Sequence, residues 1–195
     1  MGKGRLEAFS DGVLAIILTI MVLELKVPHE PTWEALRPLI PVFASYVLSY
    51  VYIGIYWNNH HHLLHATHHA SGGIQWANLH LLFWLSLIPF TTGWMGENHF
   101  APIPTAVYGI VLLMNALAYW ILVRRIIVVE GSDSLVARAI GGDFKGKVSP
   151  VIYMIAIPAA FAERWVSFAL YVAVAVMWLV PDTRIVRALA ESGQE

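Results

Sequence analysis

The chain contains no cysteine at all. That absence excludes disulfides, thiolate metal sites and cysteine nucleophiles. Charge is almost as scarce: only 13% of the 195 residues are charged, against 58% hydrophobic, and mean hydropathy is +0.63. Soluble domains carry about 25% charged residues, so a soluble fold of this length would lack the polar side chains to cover its surface. A bilayer removes that requirement. The net charge of −1 leaves no basic excess for nucleic acid. The chain shows no internal repeat, no low-complexity tract and no soluble-domain segment. A serine–histidine, paired-aspartate or His-Glu-x-x-His arrangement is also missing, which argues against an intramembrane enzyme.

What is present is a series of long apolar runs. A spanning helix needs about 20 mostly apolar residues, and four such stretches stand out, over roughly 9–27, 39–59, 75–95 and 105–124. Turn or charge signals bound them: Pro28 to Pro38, Ser71-Gly72-Gly73, Gly96 to Pro104, and Arg124-Arg125. Lys3 and Arg5 before an apolar run imitate a signal peptide, but Glu24 and Lys26 follow without a small-residue cleavage pattern, so a membrane helix is expected. The last apolar stretch, Ser149 to Val180, is too long for one span and carries Glu163 and Arg164 near its middle. A charge stranded in hydrocarbon costs several kcal/mol. Two short helices, 149–162 and 166–181, move the pair to a membrane surface and bring the count to six. The expected fold is therefore an all-α integral membrane protein with six transmembrane helices in one domain over 1–195.

With an even number of spans and the N-terminus inside, the cytoplasmic segments hold Lys3, Arg5, Arg124, Arg125, Arg138, Lys145, Lys147, Arg184 and Arg187, and the outer segments only Lys26, Arg37 and Arg164. This bias places both termini in the cytoplasm of a plasma-membrane protein.

The first span carries unusual polar residues. Asp11 lies about a turn inside, where a carboxylate needs a partner. Arg5 is six residues away and cannot face it on one helix, so the partners are expected on other helices. Beyond Asp11, Ile16, Thr19, Ile20 and Leu23 follow the i, i+3, i+4, i+7 spacing of one stripe. Ile17 and Leu18, about 100° and 200° round the helix from Ile16, point away from it, toward lipid. Such a stripe by itself reads as packing, and Thr19 alone reads as a hydroxyl bonded to its own backbone.

The run Arg5-x-x-x-Phe9-Ser10-Asp11-Gly12, its continuation through Leu25, Trp57-x-x-His60-His61 ending the second span, and Asn78…Leu82-Phe83…Pro89-Phe90 in the third resemble the potassium channels of the transmembrane protein 175 family. The resemblance implies a homotetramer whose first helices line a potassium pore without a glycine-tyrosine-glycine loop, and this chain has no such loop. It further implies that Ile16 forms the constriction, that Thr19 sets selectivity, and that Ile20 and Leu23 continue the wall. Arg5, Phe9, Ser10, Asp11, Trp57, His60, His61 and Asn78 then match an interhelical polar network, with the match between His60 and His61 open. Animal members carry two such units, whereas this chain has one. No cofactor is implied beyond the permeating potassium ions.

Six of the nine histidines fall between His60 and His69. On a continuing helix His61, His65 and His68, or His62, His65 and His69, share a face of the kind that binds zinc or nickel. No acidic residue lies between Glu34 and Glu97 to support such a site. A polar helix end is the plainer reading, and a histidine-dependent transition-metal or proton transporter is the alternative function.

Overall fold

The computed structural model describes residues 2–132, 134, 136–137 and 144–179, and these form helices and turns without a strand. The first helix, α1, runs over Lys3–Leu23, ending four residues before the expected boundary at 27. A 3₁₀ helix, Glu34–Leu39, leads into α2, Ile40–His65, with Pro41 in its first turn, where its missing N–H costs nothing. The histidine run thus begins as helix: α2 continues six residues past the expected end at 59. α3, Gly72–Ser86, is capped by Ser71, whose Oγ accepts the Ile74 N–H at 3.3 Å.

The third expected span is not one helix. α3 stops at Ser86 and α4 runs over Ile88–Glu97. Pro89 is the cause: it has no N–H to give the Leu85 carbonyl, and its ring crowds that carbonyl. α5, Pro102–Glu130, is longer than the 105–124 stretch and closes on Gly131 at φ 95°, a left-handed position suited to glycine. α6, Phe144–Ala162, begins five residues before 149, and α7, Arg164–Leu179, begins two before 166. Glu163 and Arg164 fall at the break and are exposed. The end of the last expected span, with Arg138, Arg184 and Arg187, lies outside the described residues.

Counting α3–α4 as one broken rod, the described residues make six helical legs. α1, α2 with its 3₁₀ lead, and α5 are each long and apolar enough to cross a membrane. α5 packs on α3, α4 and α6, α6 pairs with α7, and α1 rests on α2, α3 and α4. Two buried clusters result. One joins α1 to α3 and the far halves of α2 and α5, around Leu14, Ile53, Leu81 and Leu122. The other joins α6 and α7 to the near halves of α2 and α5, around Tyr52, Tyr108, Tyr153 and Tyr171. The α4–α5 link holds His99 and Phe100 at φ 51° and 58°. Burial of Phe100 against Phe168, with ring centroids 4.7 Å apart, holds the backbone there.

α4 meets α2 backbone to backbone at Gly96. A Cβ there would lie 2.5 Å from Ser45 Oγ and 2.7 Å from Val42 Cα. The backbone atom cannot swing aside as a side-chain end could. Gly96→Ala is therefore expected to lose about 1–3 kcal/mol of stability, measured as a lower unfolding midpoint in detergent. An unchanged midpoint would show that the two helices separate freely.

Candidate functional site

α1 is apolar on two faces with different surroundings. Leu6, Ser10, Leu14, Ile17 and Met21 recur every three to four residues and are buried against α2, α3 and α4. The opposite face carries Arg5, Phe9, Gly12, Ile16, Thr19, Ile20 and Leu23, all exposed. Ile16 is 57% exposed, Ile20 43% and Leu23 79%. The stripe expected from spacing is thus one continuous unpacked face of α1. Ile17 and Leu18 are not lipid-facing as expected. Ile17 is 4% exposed in the core and Leu18 packs against it, because α1 turns that side toward its own bundle.

Thr19 Oγ1 donates to the Ile16 carbonyl at 2.9 Å. That bond uses the hydroxyl hydrogen and leaves lone pairs on the oxygen, so the same atom remains an acceptor for a cation.

Three helices are tied together by a buried chain of hydrogen bonds. Asn78 on α3 is fully buried; its Nδ2 donates to Ser10 Oγ on α1 at 2.9 Å, and Ser10 in turn donates to the Leu6 carbonyl at 2.9 Å. His60 Nε2 on α2 lies 2.6 Å from Asn78 Oδ1. An amide oxygen only accepts, so the bond assigns the proton to Nε2. Each donor atom in the chain, Asn78 Nδ2, Ser10 Oγ and His60 Nε2, has an acceptor, which is what lets so polar a cluster sit among apolar helices.

Asp11 and Trp57 form a second contact, Trp57 Nε1 donating to Asp11 Oδ1 at 3.1 Å between exposed side chains. The partner on another helix, expected for Asp11, is there. His61 is exposed and stacks between Trp57 and His65, with centroids 6.2 Å and 6.1 Å away. The geometry thus separates the two histidines: His60 joins Asn78 and His61 does not. Arg5 and Phe9 stand outside the chain of bonds; the Arg5 guanidinium makes no hydrogen bond or ion pair among the described residues.

The histidine cluster does not converge. Among the described residues, no three His, Asp or Glu side chains are placed to hold a metal ion. Instead the α2–α3 loop docks on the end of α5. Glu130 accepts the backbone N–H groups of His68 and His69 at 2.8 Å and 2.9 Å, and its other oxygen lies 3.0 Å from His68 Nδ1. Glu130 lies about sixty residues further along the chain, so the local reading of the histidines misses it.

Sequence reasoning also misses a hydroxyl seam in the second cluster. Ser49 Oγ on α2 is 2.6 Å from Thr92 Oγ1 on α4 and 2.9 Å from the Tyr108 hydroxyl on α5. The Tyr52 hydroxyl donates to the Tyr171 carbonyl at 2.6 Å and accepts from the Tyr153 hydroxyl at 3.2 Å. The signal is in α2, where Ser45, Ser49 and Tyr52 share one face of an otherwise apolar helix.

A family model described as the endosomal/lysosomal potassium channel TMEM175 matches residues 5–89. A potassium channel of Chryseobacterium sp. (strain P1-3) is 53% identical over 192 residues, covering 98% of this chain and all of that one. A potassium channel of Streptomyces collinus is 35% identical over 125 residues, or 60% of this chain and 61% of its own. The crystal structure of a lysosomal potassium-selective channel TMEM175 homolog from Chamaesiphon minutus superposes with a TM-score of 0.80 at 27% identity, over 92% of this chain and 97% of that one.

Proposed function

The chain belongs to the TMEM175 family of potassium channels, and from that premise we propose that four copies surround one pore lined by α1 and narrowest at Ile16. It is a potassium channel and not an enzyme. The reading of the pore rests on one observation above all. The outer face of α1 combines exposed Ile16, Ile20 and Leu23 with Thr19 and Arg5 on the same stripe. A lipid-facing helix has no use for such polar groups, and a helix facing its own copies across an aqueous axis does.

Four Ile16 side chains meeting on that axis form a hydrophobic constriction that gates by dewetting. Four Thr19 oxygens one turn on meet a partly dehydrated cation, and Ile20 and Leu23 continue the wall toward the end of α1. Potassium sheds its hydration shell more readily than sodium, which favours it at an apolar ring. Ser10, His60 and Asn78, with Asp11 and Trp57, hold α1 at a fixed rotation against its bundle. Arg5, Phe9 and His61 complete the network between subunits. Both termini lie in the cytoplasm of a plasma-membrane protein, a topology supported by Lys3, Arg5, Arg124 and Arg125 on the inner side against Lys26 and Arg37 on the outer.

Purified protein in liposomes is expected to pass potassium down its gradient, with a valinomycin control setting full flux, and to run at the mass of a tetramer in detergent. A monomer or dimer as the sole species overturns the pore.

A further inference from the structure

We propose that the groove between α1 and α4 is a binding site for an organic ammonium ion bearing a short alkyl chain. The groove has a volume of about 640 Å³, within the range of small-molecule sites, roughly 300–1,000 Å³. Ile16, Ile17 and Ile20 form one wall, and Pro89, Phe90 and Trp94 the other. The Phe90 and Trp94 rings, both lining the groove, lie 6.0 Å apart at 28° as a stacked pair, the kind of aromatic group that attracts a cation. Glu24 lines the groove beside Gly93, where a Cβ would make ordinary van der Waals contact with Glu24 Oε2 at 3.7 Å.

The charge there is negative. Lys26 is held by Glu97 at 2.6 Å, which leaves the Glu24 carboxylate with no hydrogen bond or ion pair among the described residues. Apolar walls, a stacked aromatic pair and the Glu24 carboxylate beside the Lys26–Glu97 ion pair together recognise a cation that is itself greasy. A bare metal ion needs several oxygen ligands, and of the two carboxylates lining this groove, Glu24 and Glu97, the second is already held by Lys26. A neutral amphiphile would forgo the carboxylate. An alkylammonium satisfies each part: its head sits between Glu24 and the rings, and its tail lies along Ile17 and Pro89. Its consequence rests on the pore reading above. Ile16 and Ile20 would belong to both groove and conduction path, so an occupant bracing α1 should lower potassium flux.

The test is calorimetric titration of the intact assembly in lipid nanodiscs with hexyltrimethylammonium, with tetramethylammonium and N-hexylacetamide as controls lacking the tail or the charge. Saturable binding at one site per subunit is expected, with both controls at least tenfold weaker. E24Q and W94A should each weaken it about tenfold while leaving the assembly's mass unchanged. Absence of saturable binding, as when a neighbouring copy's α1 fills the groove, overturns the proposal, as does equal binding by E24Q and W94A. Because binding is read without flux, failure of the pore reading is separable: saturable, Glu24-dependent binding with unaltered potassium flux supports the site and removes Ile16 and Ile20 from the pore wall.

Discussion

Asn78→Leu is expected to destabilise the protein by about 2 kcal/mol, because it leaves two buried groups without the partner that joined them. Ser10 keeps its bond to the Leu6 carbonyl but loses the amide that fills its lone pair, and the His60 Nε2–H faces hydrocarbon. Stranding a buried donor costs about 1–3 kcal/mol. A hydrogen bond between membrane helices gains only about 0.6 kcal/mol on average, since the separated helices find other partners. The orphaned donor therefore decides the size of the effect, and this gives the discriminating variant. His60→Leu in the Asn78→Leu background removes the orphan and should recover most of the loss, whereas Ser10→Ala in that background should recover little. The measurement is the unfolding midpoint in detergent for the three variants. If Asn78→Leu unfolds at the wild-type midpoint, the chain of bonds does not hold α1, α2 and α3 together.

The parts of this architecture visible in the sequence are those where a polar residue interrupts an apolar run. Asp11 needed a partner on another helix and has Trp57; the Glu163-Arg164 pair needed a break and lies at one. The rotation of α1 was less legible for a physical reason. In a bilayer the core-facing and outward faces are equally apolar, because lipid rewards leucine as well as a protein interior does. Leu14, Ile17 and Met21 make as good a stripe as Ile16, Ile20 and Leu23, and only packing shows which is buried. The break that Pro89 makes was missed within the 75–95 run, since periodicity does not distinguish a bent helix from two. The Glu130 cap on the α2–α3 loop was invisible, since its two halves are about sixty residues apart. For the same reason spacing could not choose between His60 and His61; the choice depends on where α3 places Asn78.

Ile16→Asn is expected to raise potassium flux about tenfold and to admit more sodium. In the proposed tetramer the four isoleucines exclude water from a short segment, and any ion pays dehydration there. An amide in their place holds water at the ring, and a tenfold gain needs only ~1.4 kcal/mol off the barrier. Ile16 is 57% exposed and lies outside the core clusters, so the substitution should leave the fold intact. Thr19→Ala should behave differently. It keeps the apolar ring, releases the Ile16 carbonyl from its 2.9 Å bond and removes four oxygens from the next layer, so selectivity should fall more than flux rises. Leu18→Asn on the same helix supplies the control. Leu18 packs against the buried cluster, so asparagine there should lower the unfolding midpoint without opening the pore. Potassium and sodium flux through reconstituted Ile16→Asn, Thr19→Ala and Leu18→Asn, compared at equal amounts of folded tetramer, separates the cases. Should Leu18→Asn conduct while Ile16→Asn remains at the wild-type rate, α1 turns a different face to the axis and the constriction lies elsewhere.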